Sequence, residues 1–244
     1  FYQCDVDVVS STSLVYEAEL VQIYDEVFSK LNLPVVIKFN NRKILEGIAE
    51  VAGIPERMVE MTVAIDKLDK IGLDGIKKEM GERGIVDEAI TTITQILSIQ
   101  SLDELQNALE SSERGKLGIQ EVQTLLQYLG AGQTQQEIRF DITLARGLNY
   151  YTGCIFEVQA KGVAMGSIGG GGRYDNLTGV FGLKDVSGVG VSFGAERIYD
   201  VLEELKLFPA DTSNSLKVLF MAFDEAAHLY AFAALSKLRA AGVN

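Results

Sequence analysis

The sequence predicts an α+β fold, with antiparallel strands and a helical block that reads as an insertion or as one side of a larger domain. Three observations carry that prediction. The first residues alternate apolar and polar; residues of about 41–132 show helical periodicity with repeated stop signals; and strand-like runs return from residue 137 with little helix between them. Strands that follow one another so closely pair antiparallel, because a parallel crossover needs roughly a dozen residues or more.

FYQCDVDVV sets Tyr2, Cys4, Val6 and Val8 against Gln3, Asp5 and Asp7, a strand with one polar face. An amide and two carboxylates are more than a generic solvent face requires. SLVYEAELVQIYDEVFSKL places Leu20, Ile23, Val27 and Leu31 at helical spacing, an amphipathic helix that Pro34 ends. VVIKF (35–39) reads as a short strand. In the helical block, ILEGIAEVAG stops at Gly53, where glycine can take the left-handed cap. Pro55 opens a helix closed by Gly72, and Ser101-Leu-Asp-Glu104 has capping-box spacing. The block holds few candidate catalytic groups.

EIRFDITL alternates Ile138, Phe140, Ile142 and Leu144 with polar partners. CIFEVQA, MGSIGGGG and VSGVGVSFG follow as short strands broken by glycines, and AERIYDVLEEL is an amphipathic helix from about Ala195. Residues 206–216, KLFPADTSNSL, have linker composition. LKVLFMAF then reads as a buried strand and EAAHLYAFAALSKLRAAG as a helix ending at Gly242, the opening of an α/β unit.

The chain has 244 residues, enough for one large domain or one domain plus a smaller unit. No apolar run approaches the roughly 18 residues of a membrane span. The N-terminus shows neither an initiator Met nor a signal-like segment, so the chain is expected to be a piece beginning inside a strand. Two cysteines, Cys4 and Cys154, suit a reducing cytoplasm and have neither disulfide-framework nor metal-ligand spacing. His228 is the single histidine, which argues against a His-based metal site or nucleophile system, and its helical setting predicts a surface or structural role. A net charge of −12 argues against a broad nucleic-acid coat while leaving room for a local basic pocket.

GSIGGGGRYDNL lacks the Gly-Lys-Ser/Thr ending of a phosphate loop, and GVGVSFG misses G-x-G-x-x-G. Four successive glycines, Gly169 to Gly172, weaken a purely structural strand and point to a ligand lying flat on it. Arg146, Arg173 and Arg197 stand beside these glycine runs, and guanidinium forks match carboxylate and phosphate oxygens. Taken singly, each reads as a surface ion pair. Together with Gln3, Asp7, Tyr150, Tyr151 and Tyr174 they describe a pocket for an anionic, nitrogen-bearing ligand.

In this order, RGLNYYTG (146–153), GGGGRYDNL (169–177) and VGVSFGAERI (189–198) resemble the signature segments of the histidyl-tRNA synthetase family of class II aminoacyl-tRNA synthetases. The third resembles class II motif 3, and FYQCDVDVV resembles the strand that closes motif 2. The segments KFNNRKILEGI and TVAIDKLDKIG are similar to the region between motif 2 and the first signature. The resemblance covers essentially the whole chain. It implies a class II antiparallel sheet over residues 1–205, with the insertion at about 41–132, a linker at 206–216, and the start of an anticodon-binding α/β domain at 217–244. It implies ATP-dependent activation of L-histidine to histidyl-adenylate, with Mg2+, and transfer to tRNA(His), in a cytoplasmic homodimer without membrane association. No protein nucleophile is needed, so catalysis is positioning and charge stabilisation.

By the same resemblance, Gln3 would hold the substrate α-amino group and Asp7 its imidazole. Tyr151 and Tyr174 would line the imidazole pocket, with Tyr150 flanking it. Arg146 would reach the α-phosphate and the carboxylate. Arg197, with Gly194 beside it, would bind ATP as the motif 3 arginine. Asn149 stands where many members have Asp, and Asp7 where some have Glu. Motif 1 and most of motif 2 are not in the chain, so by itself it is expected not to adenylate histidine. A synthetase-like regulatory subunit of ATP phosphoribosyltransferase is the second reading; the segment after the linker and Arg197 favour the synthetase.

Overall fold

A computed structural model describes residues 2–146, 150–209 and 216–243. Gly147 and Asn149 of the first signature therefore lie outside the described residues. The chain divides into two compact units, Phe1–Leu205 and Lys206–Asn244.

Six strands among the described residues of the first unit form one sheet, in the order β1 (Cys4–Val9), β6 (Gly188–Phe193), β5 (Gly169–Tyr174), β4 (Cys154–Ala160), β2 (Val35–Asn41) and β3 (Glu137–Phe140). Neighbours pair antiparallel except β2 and β3, which run parallel. The helical block between them supplies the long crossover that a parallel pair requires.

The pleat sorts the residues onto two faces. One carries Val189, Val191 and Phe193 of β6, Phe156 and Val158 of β4, and Val35, Ile37 and Phe39 of β2, all buried. Helix α1 (Val15–Lys30) packs there, with Tyr24 edge-on to Phe193 at 4.8 Å between ring centroids and Phe28 at 5.9 Å. The Tyr24 hydroxyl donates to Ser192 O at 2.9 Å. The other face presents Asp5 and Asp7 of β1, Gly190 and Ser192 of β6, and Gly170 and Gly172 of β5, in register.

The helical block comprises α2 (Arg42–Val51), a 3-10 turn (Pro55–Arg57), α3 (Met58–Ile65), α4 (Leu68–Glu82), α5 (Asp87–Leu97), α6 (Leu102–Ala108) and α7 (Glu113–Ala131). Its core includes Ile44, Met61, Ile65, Met80 and Ile93. Two expected boundaries differ. Gly72 does not close a helix but kinks α4, taking φ +68°. Helix α1 stops at Lys30, where Asn32 takes φ +52°, before Pro34 is reached. The Ser101 side chain caps nothing, whereas Ser112 Oγ accepts from Gly115 N at 2.9 Å and starts α7.

The alternation of EIRFDITL ends as a strand at Phe140. Asp141 turns the chain by accepting from Thr143 N at 3.0 Å, and Asn40 Nδ2 ties the turn to β2 through Ile142 O (3.0 Å) and Leu144 O (2.9 Å). The short helices α8 (Leu177–Val180) and α9 (Ala195–Glu204) complete the first unit. In the second, α10 (Glu225–Ala240) begins at Asp224, whose carboxylate accepts from Ala227 N at 2.7 Å. Residues 217–223 form no strand, against expectation. No described strand pairs with them, and Leu219, Met221 and Phe223 are exposed. His228 is exposed on α10.

Candidate functional site

The polar face of the sheet opens into a cavity of about 460 Å³. Gln3, Asp5 and Asp7 form one wall, Tyr150 and Tyr151 another, and Tyr174, Leu177, Thr178 and Phe181 a third. Gly170, Gly171 and Gly190 make the floor. Five of the side chains expected at the amino-acid site thus surround one space: Gln3, Asp7, Tyr150, Tyr151 and Tyr174.

The tyrosines are held by their hydroxyls. Tyr174 Oη donates to Asp7 Oδ1 at 2.6 Å, and Tyr150 Oη donates to Tyr151 Oη at 3.3 Å, with the two rings 4.5 Å apart. Burial, and then the hydrogen bond shared with Tyr150, push the Tyr151 phenol well above its ordinary value. Burial raises that of Tyr174 too, reinforced by the bond to Asp7. Both phenols therefore stay neutral through the physiological range. Gln3 Nε2 donates to Asp5, leaving the Gln3 carbonyl oxygen as an acceptor.

Arg146 lies on the same face. Its Nη1 donates to Phe156 O at 2.8 Å, and its guanidinium occupies the space that a Cβ on Gly170 would fill. Glycine at 170 is what lets the guanidinium lie against β5. Arg146 also takes φ +36°, a left-handed conformation costing a non-glycine residue about 1 kcal/mol or more. One Nη1 contact leaves other N–H groups of the fork to face a ligand.

Arg197 and Gly194 stand apart from the cavity lining, where β6 passes into α9. Arg197 Nη1 donates to Ser167 O at 2.6 Å, and Gly194 N to Ile168 O at 2.8 Å. Arg173, grouped from sequence with the ligand-facing arginines, is a structural residue instead. It is buried on the helix side of the sheet, its Nε and Nη2 bonded to Glu17 and its Nη1 to Ser11 O and Ser187 Oγ. The pleat explains the difference: residue 173 points away from the face that carries Gly170, Gly172 and Tyr174.

Asp5, Ser192 and Phe181 also line the cavity, without an expected role. The alternation that places Gln3 and Asp7 on one face places Asp5 there, and Ser192 follows from the same rule in GVGVSF. Nothing in the pattern of residues 175–187 singles out Phe181. Among the described residues no cluster of three or more His, Cys, Asp or Glu could hold a metal ion. None of their helices is long and apolar enough to cross a membrane.

Comparison with known proteins converges on one family. The family model for histidyl-tRNA synthetase matches residues 1–198. A histidine–tRNA ligase of Bacteroides fragilis (strain YCH46) is 53% identical over 248 aligned residues, covering 100% of this chain and 55% of the relative. That of Christiangramia forsetii is 54% identical, covering 98% of this chain and 54% of the relative. The chain thus spans about half the length of the curated relatives it matches. The crystal structure of histidyl-tRNA synthetase from Nostoc sp. PCC 7120 superposes with a TM-score of 0.80 at 32% identity, over 100% of this chain and 60% of that one. A Bacillus halodurans protein described as an ATP phosphoribosyltransferase regulatory subunit/histidyl-tRNA synthetase shares the fold, with a TM-score of 0.71 at 19% identity over 99% of this chain and 61% of that one. With the family model matched over residues 1–198, most of its length, the chain belongs to the histidyl-tRNA synthetase family.

Proposed function

We propose that this chain carries the histidine-activating centre of a histidine–tRNA ligase, which condenses L-histidine with ATP and passes the histidyl group to tRNA(His). The observation that supports this most directly is the convergence of Gln3, Asp7, Tyr150, Tyr151 and Tyr174 on one cavity, with the Arg146 guanidinium against Gly170 beside it. Gln3 accepts from the α-ammonium group of histidine, and Asp7 accepts from an imidazole N–H. Tyr151 and Tyr174 enclose the ring, and Tyr150 braces Tyr151.

The histidine carboxylate attacks the α-phosphorus of ATP: a C–O–P bond forms and the bond to pyrophosphate breaks. Arg146 stabilises the negative charge gathering on the α-phosphate, with no protein nucleophile or general base required. Arg197 and Gly194, at the start of α9, are assigned to the nucleotide; engaging phosphate requires Arg197 to exchange its bond to Ser167 O. Magnesium enters with the triphosphate as part of the substrate, and no step passes through a protein-held ion. Residues 1–205 are assigned to part of the catalytic core, with about 41–132 as an insertion, 206–216 to a linker and 217–244 to the start of the anticodon-binding domain. A cytoplasmic homodimer is the assembly that accompanies this reading.

The test is histidine-dependent exchange of labelled pyrophosphate into ATP by the protein at its natural full length. Exchange that requires histidine supports the assignment. Absence of exchange, together with tight binding to an ATP phosphoribosyltransferase, rejects it.

A further inference from the structure

Two stretches carry the aromatic walls of the cavity, and one carboxylate joins them. Thr152 directly follows Tyr150 and Tyr151, and Asp175 directly follows Tyr174. Thr152 Oγ1 donates to Asp175 Oδ2 at 2.6 Å and accepts from Asp175 N at 3.1 Å. The Thr152 backbone N–H donates to Arg173 O at 2.9 Å. The other carboxylate oxygen, Asp175 Oδ1, accepts from Ser187 Oγ at 2.6 Å.

The direction of the Ser187–Asp175 bond is fixed. Arg173 Nη1 approaches Ser187 Oγ at 2.6 Å and can only donate, so the Ser187 proton must go to Asp175. Arg173 is itself immobilised by Glu17 of α1 and by Ser11 O and Ser13 O. A chain of donors thus runs from a buried arginine through Ser187 to Asp175, which Thr152 meets from the opposite side. Burial pushes the Asp175 carboxyl up, but the bonds from Ser187 and Thr152 outweigh it and hold the group below the usual carboxylate range. Hydroxyl bonds to an ionised carboxylate are about twice as strong as neutral ones. None of Asp175, Thr152 and Ser187 lines the cavity, yet two of them adjoin residues that do.

We infer that Asp175 is a positioning residue for amino-acid recognition: through Thr152 it fixes Tyr150 and Tyr151 relative to Tyr174, and so sets the width of the slot that receives the ring. The inference rests on reading this cavity as the histidine site. It assigns to Asp175 a share of histidine selectivity without contact with histidine. A slot held at one width admits a flat five-membered ring and excludes bulkier side chains, and loosening it weakens binding of the amino acid without touching the nucleotide.

The decisive comparison is Thr152→Val, near-isosteric but without the hydroxyl, against Thr152→Ser, which keeps it, in the full-length protein. Loss of one charge-assisted hydrogen bond predicts an increase of about tenfold in KM for histidine in pyrophosphate exchange. KM for ATP and kcat should stay within about twofold, since no nucleotide contact is touched, and Thr152→Ser should restore the wild-type KM. Equal increases in both KM values, or a serine variant as impaired as the valine variant, would overturn the inference. If the wild-type protein shows no histidine-dependent exchange, the histidine reading itself falls, and a ligand-free measurement decides. Thr152→Val should then speed hydrogen exchange at the Thr152 and Asp175 amides, which the cluster holds, whereas Thr152→Ser should not. Unchanged exchange at both in the valine variant overturns the positioning role.

Discussion

Tyr174 on β5 and Asp7 on β1 meet over the intervening strand β6, the phenol donating to Asp7 Oδ1 at 2.6 Å. They reach each other because β6 offers only glycine beneath them: a Cβ on Gly188 would strike the Tyr174 ring, and one on Gly190 the Asp7 carboxylate. Glycine at these two positions is therefore a condition for the contact.

Under the histidine-site reading, Tyr174→Phe leaves the slot closed but frees one Asp7 oxygen. KM for histidine should rise by about tenfold, the worth of one hydrogen bond to a charged group. Asp7→Asn should cost more, because the amide can no longer present two anionic acceptors to an imidazole and a phenol at once. Pyrophosphate-exchange kinetics at varied histidine distinguish the two.

On the same reading, Arg146→Ala in the full-length protein should reduce adenylation by about 10²–10³-fold, the typical loss of one preorganised donor to a developing oxyanion. Gly170→Ala should produce a loss of the same kind in a folded protein, since its methyl group would occupy the place of the Arg146 guanidinium. Single-turnover adenylate formation, with circular dichroism to confirm folding, tests both variants.

Glu17 and Arg173 are almost completely buried, at 0% and 4% exposure, and each satisfies the other. Burial alone would lower the Arg173 pKa, but hydrogen bonding to Glu17 and its charge raise it. Arg173→Leu strands a buried carboxylate and should destabilise the fold by about 3–5 kcal/mol. Urea denaturation measures this, and a loss below about 1 kcal/mol would contradict the buried-pair account.

Tyr24, Tyr151 and Tyr174 hold their phenol protons above the ordinary tyrosine range, in each case first through burial. The sign follows from linkage. The folded state favours the protonated form, so the stabilisation is fully present below about pH 10, the unfolded value, and is lost as pH rises through the higher folded values. Spectrophotometric titration should show these three tyrosines ionising late, or only as the protein unfolds in alkali.

Cys154 is fully buried and its thiol is pushed well up by burial, whereas Cys4 is exposed on β1. A maleimide should label Cys4 in the native protein and reach Cys154 only in denaturant. Mass analysis of the labelled peptides reads the result.

Much of this arrangement could be read from residue order, because a strand's period of two decides which side chains share a face. That rule puts Gln3, Asp5 and Asp7 on one face, while the run of four glycines marks a strand that a ligand can lie against. Applied to GGGGRYD it also separates Arg173 from Tyr174, and weighing arginines by chemistry alone obscured this. What periodicity could not supply was partnership. Nothing in EIRFDITL reveals that Asp141 will turn the chain and Asn40 will hold the turn. Nothing local announces that a distant Glu17 will claim Arg173, or that Thr152 and Asp175 will meet. LKVLFMAF has strand composition, but composition cannot provide the neighbour that a strand needs for its backbone groups.

Where Gly170 pairs with Ser192 and Gly172 with Gly190, the partition between the hydrophobic interior and the cavity is a single layer of main chain. Tyr24, a core residue of α1, holds Ser192 O from the far side. Interior and recognition surface are not insulated from each other at this point. A change in how α1 packs can shift the cavity floor with no intervening side chain to absorb it, so, on the histidine-site reading, substitutions deep in the core around Tyr24 and Phe28 should register as altered histidine affinity before they register as unfolding.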